Sequence, residues 1–187
     1  MKMTLKLLLA LLLCATAFTS IASANPLVTI YSSYTCCSGG GAPYSGLIGS
    51  FTSPAINFGT STGWFWTPLG QTGDFGADVT SALYVAGAGT YAFTLTSDDG
   101  SQLFIDGGLV VDDGGPHGPQ SATGSVALTA GAHSLEIQYF ECCGNPASGL
   151  DLTIPAGTSY TPEPSSLALL GTGIAGLAGV IRRKLML

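Results

Sequence analysis

From Tyr91 onward the chain alternates between two kinds of position. Tyr91-Ala92-Phe93-Thr94-Leu95-Thr96 sets a large apolar or aromatic side chain at every second residue, with small ones between. Leu103, Phe104 and Ile105 form a short apolar run before Asp106-Gly107-Gly108, and Leu109-Val110-Val111 leads into Asp112-Asp113-Gly114-Gly115. Val126 and Leu128 alternate, as do Leu135, Ile137 and Tyr139, and Leu150, Leu152 and Ile154. A period of two is that of a strand with one buried face. Asp99-Gly100, Ala130-Gly131 and Gly144-Asn145-Pro146 supply turns between the runs. Strands spaced about ten residues apart and joined by Gly-rich turns predict an all-β fold, an antiparallel sandwich or barrel. No part of the mature chain has the periodicity of a useful amphipathic helix.

The two ends follow different rules. Lys2 and Lys6 precede the apolar run Leu7–Leu13, and Ala22-Ser23-Ala24 follows. That is the layout of a secretory signal peptide, residues 1–24, with cleavage after Ala24. Leu13 stands where a lipoprotein would carry a small residue, which argues against lipidation of Cys14. At the other end Pro162-Glu163-Pro164 leads into residues 165–181, 17 positions without a charge, and then Arg182-Arg183-Lys184. Seventeen residues is short for a spanning helix, which usually needs ~20. Basic residues after such a segment belong on the cytoplasmic side and leave the middle of the chain outside. That middle, residues 25–161, is 137 positions long, a suitable size for one β-domain.

Charge sharpens this division. The chain of 187 residues has a formal charge of −6, yet all five Lys and Arg lie in the end segments. Residues 25–161 hold ten acids and no Lys or Arg, so their formal charge is 0 − 10 = −10. Nothing here suits nucleic acid. Carboxylates that converge in this region have no ammonium or guanidinium to pair with, and call for a metal cation.

Four cysteines remain after loss of the signal peptide: Cys36, Cys37, Cys142 and Cys143. In an exported domain they are expected to form disulfides, with three possible connectivities. Adjacent cysteines bond to each other poorly, so the 36/37 pair is expected to be joined to the 142/143 pair. One such link, closing about 106 residues, contributes ~4–5 kcal/mol on chain-entropy grounds. A four-thiolate zinc site is the rival reading, without the Cys-x-x-Cys spacing that favours it.

Two short strings mislead. Gly171-Thr172-Gly173-Ile174-Ala175-Gly176 matches the dinucleotide fingerprint but has no strand before it and no βαβ unit after it. Gly59-Thr60-Ser61-Thr62-Gly63 matches the hydrolase elbow, but its flanks read as loop.

Resemblance to known families adds to these readings. Pro162-Glu163-Pro164, an apolar segment and Arg182-Arg183 closely resemble the PEP-CTERM sorting signal of Gram-negative bacteria, residues 162–187. That resemblance implies export through the inner membrane, a transient carboxy-terminal anchor with its helix at 165–181, and processing by an exosortase. The protein would then reach the cell surface or extracellular matrix. The run Gly89 to Gly107, with Leu109-Val110-Val111-Asp112, Gly115-Pro116-His117 and Ala130-Gly131-Ala132-His133-Ser134-Leu135, resembles the PA-fourteen domain. The piece from Val111 to His117 is also similar to fibro-slime domains. The implied fold is an antiparallel β-sandwich over residues 25–161.

Fungal flocculins and epithelial adhesins of this superfamily bind sugars through calcium. Their first loop carries two successive aspartates across a cis peptide bond, and Asp98-Asp99 occupies the matching place. Their second loop supplies an Asn and backbone carbonyls, which here implies Asn145 and the stretch Ala147–Gly149, with Glu141 as the alternative ligand. Asp98, Asp99 and Asn145 are therefore the expected calcium and carbohydrate-binding residues. Calcium suits such a set, since it takes six to eight oxygens from carboxylates, amides and carbonyls.

The remaining candidates read more plainly. Asp112 and Asp113 are loop carboxylates, His117 and His133 loop or turn residues. Trp64, Trp66, Tyr31 and Tyr34 suit a core better than a sugar platform. The expected function is calcium-dependent binding of carbohydrate, such as exopolysaccharide, by an exported surface protein. The alternative is a structural or protein-interaction module of the matrix. Catalysis is not expected, because no Lys or Arg is available to an oxyanion and no Ser, His and acid are grouped.

Overall fold

The computed structural model describes residues 25–59, 73–143, 149–160 and 173. Ten strands run through them: β1 (Leu27–Ser33), β2 (Ser45–Thr52), β3 (Phe75–Val85), β4 (Gly89–Asp98), β5 (Ser101–Ile105), β6 (Gly108–Asp113), β7 (Gln120–Leu128), β8 (Gly131–Glu141), β9 (Gly149–Thr153) and β10 (Thr158–Ser159). A seven-stranded sheet has the order β2-β1-β3-β8-β5-β6, with β10 added beside β3, and a second sheet has the order β7-β4-β9. All pairings are antiparallel. The two sheets enclose one core, as an all-β sandwich requires.

The alternation seen in the sequence sets what each strand buries. Phe93 and Leu95 of β4 and Leu150 and Leu152 of β9 face Val79, Leu83, Leu103, Leu135, Ile137 and Tyr139 of the larger sheet in one buried cluster. The central pairing is β3 with β8, in unbroken register from Phe75↔Glu141 to Val85↔Gly131. The strand β3 escapes a pattern search built on large residues. Its inward positions, Phe75, Ala77, Val79, Leu83 and Val85, do alternate, but Ala77 is small and Ser81 interrupts the series. The amino-terminal strands were likewise not expected from periodicity. Val28 and Ile30 of β1 are fully buried, whereas β2 is an edge strand with Leu47 and Ile48 exposed.

Asp78 is held between central strands, opposite Thr29 of β1 and Gln138 of β8. Its Oδ1 is buried without a hydrogen-bond partner. Burial first, and the Glu136 charge second, push its pKa up to about 6. A carboxyl raised in the folded state contributes fully below its unfolded value of ~3.9, and that contribution drains away as pH rises toward the folded value. Asp78→Asn is therefore expected to raise the melting temperature at pH 8 by roughly 3–6 °C, and to change little at pH 4. Scanning calorimetry at the two pH values checks this.

Residues 1–24 and the expected helix at 165–181 lie outside the described residues, save Gly173. Among the described residues no helix is long and apolar enough to cross a membrane. The sandwich closes at Tyr160, whose buried ring joins the core just after β10.

Candidate metal centre

Between Asp98 and Ser101 the chain leaves the smaller sheet and enters the larger one. The Asp98–Asp99 peptide bond is cis, as the resemblance implied. Gly100 follows because nothing larger fits. A Cβ there would lie 2.4 Å from the Phe140 ring and 2.7 Å from the Gly115 carbonyl oxygen. Glu141 closes β8 directly opposite Phe75 and points into the same place.

Asp98, Asp99 and Glu141 are 2%, 6% and 2% exposed, and one carboxylate oxygen from each lies within 4.8 Å of the others. Backbone donors fix the middle member. The His117 N–H donates to Asp99 Oδ1 (2.7 Å) and the Cys142 N–H to Asp99 Oδ2 (2.9 Å). The Tyr139 hydroxyl lies against Glu141 Oε2 (3.2 Å) and donates to the Asp98 carbonyl. Asp98 Oδ2 and Glu141 Oε1 are buried with no hydrogen-bond partner. Burial, and then the neighbouring Asp99 charge, raise the Asp98 pKa against the pull of His117. Burial, and then Asp99 and Asp98, push Glu141 up to about 9.

Three buried carboxylates sharing one point resist ionising together. A hard divalent cation with oxygen ligands relieves both the repulsion and the two orphan oxygens. Thiolate or imidazole metals fit this donor set less well, since only oxygens converge. The residues present thus fit calcium.

The loop expected to complete the shell is anchored at both ends beside the aspartates. Cys142 holds Asp99, and Gly149 pairs with Asp98 where β9 meets β4. Asn145, together with Ala147 and Ser148, lies outside the described residues. Glu141, the alternative ligand, is the residue brought to Asp98 and Asp99.

Asp113 is not the loop carboxylate expected. It is buried and accepts hydrogen bonds from Ser97 Oγ (3.1 Å) and Gln120 Nε2 (2.9 Å). Its partners come from other strands, so no local pattern announces them. Asp112 is exposed and accepts from Gln102 Nε2 and the Gly114 N–H. His117 bridges the Asp113 and Gly118 carbonyls with its ring, while its backbone serves Asp99. His133 pairs with Asp106 at 2.7 Å and meets the Thr129 carbonyl. Tyr31 stacks on Tyr44 and Tyr34 on Phe140, whereas Trp64 and Trp66 lie outside the described residues.

The cysteine pairs do come together across the sheet. Cys36, Cys37 and Cys142 place their sulfurs within 4.8 Å of one another. All four cysteines are free thiols, and the close sulfur approaches, 2.7 Å each, are within the pairs Cys36/Cys37 and Cys142/Cys143. The expected cross-links are therefore not formed here. Beside them an open polar cleft of about 590 Å³ is lined by Cys37, Gly39, Gln102, Asp112, Gly115 and Gln138.

A family model described as PA14 domain matches residues 21–166, and one described as PEP-CTERM protein-sorting motif matches residues 161–184. Similar solved structures include a PA14 sugar-binding domain from an RTX adhesin, at 21% identity and a TM-score of 0.55, covering 71% of this chain and 89% of that one. The PA14 domain of the MpAFP antifreeze protein has 16% identity and a TM-score of 0.55, covering 71% and 83%. The A domain of epithelial adhesin 6 from Candida glabrata, in complex with Galb1-3GlcNAc, has 12% identity and a TM-score of 0.50, covering 77% and 86%. These likenesses establish the fold. The sequence matches none of the curated proteins.

Proposed function

The chain belongs to the PA14 domain family, and on that premise we propose that residues 25–161 form a calcium-dependent carbohydrate-binding domain of an exported surface or matrix protein. The observation that carries this reading is the buried meeting of Asp98, Asp99 and Glu141, with two carboxylate oxygens that have no hydrogen-bond partner. Those three side chains hold the ion, and Asn145 with carbonyls of the same loop adds further oxygens. Calcium held there supplies open coordination positions for two vicinal hydroxyls of a sugar ring. Asp99 is oriented by the His117 and Cys142 amides, so it faces the ion without rearrangement.

The domain binds and does not catalyse. Its ligand is a carbohydrate such as exopolysaccharide. The sorting motif directs the chain through the inner membrane, with residues 165–181 as a transient anchor and exosortase as the processing partner.

Isothermal titration of the 25–161 domain with calcium, followed by a glycan array with and without chelator, tests this. Heat of calcium binding and chelator-sensitive glycan retention are expected. No heat up to about ten millimolar calcium, well above the range of extracellular modules, would sink the site. Calcium heat without glycan retention would leave a matrix module in which the ion only braces the loops.

The sulfur cluster completes the picture. In protein recovered from the cell exterior, Cys36 and Cys37 are expected to be joined to Cys142 and Cys143, since the thiols already converge. Non-reducing peptide mapping decides it. Four free thiols in exported protein would remove the clamp.

A further inference from the structure

The sandwich has two unlike ends. At one end lie the turn between β4 and β5, the turn after β6, and the close of β8. Asp74, Asp98, Asp99, Asp112, Asp113 and Glu141 gather there, six of the ten acids in residues 25–161. At the other end three turns lie side by side. The strand register places Val85 by Gly131, Gly89 by Leu128 and Thr158 by Val85. The Ala86 N–H donates to the Gly157 carbonyl, and the Tyr91 hydroxyl to that of Gly87. The exposed tips are Ala86, Gly87, Ala88, Thr129, Ala130, Ala156 and Gly157. No Asp, Glu, His, Lys or Arg occurs at 84–91, 128–132 or 153–160. The nearest titratable carboxylate and imidazole along the strands, Asp106 and His133, are paired with each other at 2.7 Å.

The chain leaves the fold at this uncharged end. Tyr160 is anchored in the core, and the apolar segment begins at residue 165. Five residue steps span at most ~18 Å when fully extended. Tyr160, about two residue steps in from the turn after Val85, must therefore stay within that distance of any membrane that holds residues 165–181. The acidic end is the length of β3 away, roughly 35 Å for its eleven residues. Screening at physiological ionic strength falls off over ~8 Å. A bilayer bearing anionic lipid thus repels the domain strongly if it tips over and hardly at all if it stands upright.

We infer that, before processing, the sandwich stands on the membrane with the turns at 86–88, 129–131 and 155–157 against the lipid headgroups and the carboxylate site facing away. This rests on the reading of residues 165–181 as membrane-held, and not on calcium binding. The surface is matched to its partner by lacking charge rather than by apolar insertion, since its exposed side chains are small. The site is then open to ligand while the chain is still anchored.

Hydrogen exchange on the full chain in nanodiscs of phosphatidylethanolamine and phosphatidylglycerol, compared with the isolated 25–161 domain, tests the arrangement. Slower exchange is expected at the three turns, with none at 112–120. A triple variant, A86D, A130D and A156D, changes only exposed turn tips. It is expected to lose that protection while the chain still migrates with the discs, and its melting temperature as an isolated domain reports that it folds. Unchanged exchange at the three turns of the wild type, or protection at 112–120, would overturn the upright arrangement. A full chain that does not enter the discs would remove the membrane-held reading and this inference with it. Neither result touches the calcium titration.

Discussion

Asp98→Asn and Asp99→Asn are both expected to erase the calcium-induced rise in melting temperature, and to differ in every other respect. A ligand bound only by the folded state stabilises it by RT ln(1 + [L]/Kd), about 2.7 kcal/mol at one hundred times Kd. For a domain of this size that is a rise of roughly 8 °C. Removing either formal charge leaves two carboxylates, too few to hold the ion with comparable strength. Without calcium the two variants part. Asp98 Oδ2 has no hydrogen-bond partner, so an amide there lowers repulsion at no cost in lost bonds. Asp98→Asn is therefore steadier than the parent in chelator. Both oxygens of Asp99 accept backbone N–H groups, and an Asn must turn its NH2 toward one of them. That forfeits about 1 kcal/mol and offsets the electrostatic gain. Thermal melts in calcium and in chelator read both effects. A calcium response that survives Asp98→Asn and Asp99→Asn would place the ion elsewhere, with Asp112 and Asp113 the next acids to test.

The metal-free domain is expected to weaken steadily from pH 5 to pH 9, and calcium is expected to abolish that trend. Glu141 carries most of it. Its folded pKa is raised to about 9, while the unfolded side chain titrates near 4.3. A raised acid keeps its full contribution below the unfolded value and loses it as pH climbs through the folded one. Asp98 shifts in the same direction, again through burial first and Asp99 second. At ~1.4 kcal/mol per unit, the change between pH 5 and pH 7 alone is about 2–3 kcal/mol. Calcium offsets the loss, because it binds the ionised carboxylates and must displace the proton from Glu141. Its affinity therefore rises with pH, and Glu141→Gln flattens both curves. Calorimetry in chelator across this range checks the first half. A flat profile would mean that Glu141 ionises freely and is not shared with Asp98 and Asp99.

Legibility in the sequence followed the size of the side chains. The strands β4 and β8 announce themselves through Phe93, Leu95, Leu135, Ile137 and Tyr139, whose bulk alternates without interruption. The central strand β3 does not, although it is as long as β8, because Ala77 and Ser81 dilute its inward row. Edge strand β2 is unreadable for a different reason: Leu47 and Ile48 face opposite ways and both are exposed, so no buried face imposes a period. At the site, Asp98-Asp99 was legible only through the surrounding family resemblance, since Asp-Gly by itself also describes a tight turn. The burial of Asp113 could not be read. Ser97 sits sixteen positions away, and only the sandwich brings its hydroxyl round. Glu141 stood as a second choice because the loop after it has no local periodicity to fix an alignment. Its place is set by register with Phe75 instead.

That same pairing governs how the protein reaches its fold. Phe75 opposes Glu141 and Val85 opposes Gly131, so the two central strands are separated by 46 to 66 positions along the chain. Neither sheet can close until the second of them has emerged. Contacts so distant in sequence place such a domain among slow folders, in the range of milliseconds to seconds. A chain that threads a membrane unfolded gains time from this delay. The sandwich cannot assemble until the strand ending at Glu141 is available to pair with Phe75–Val85.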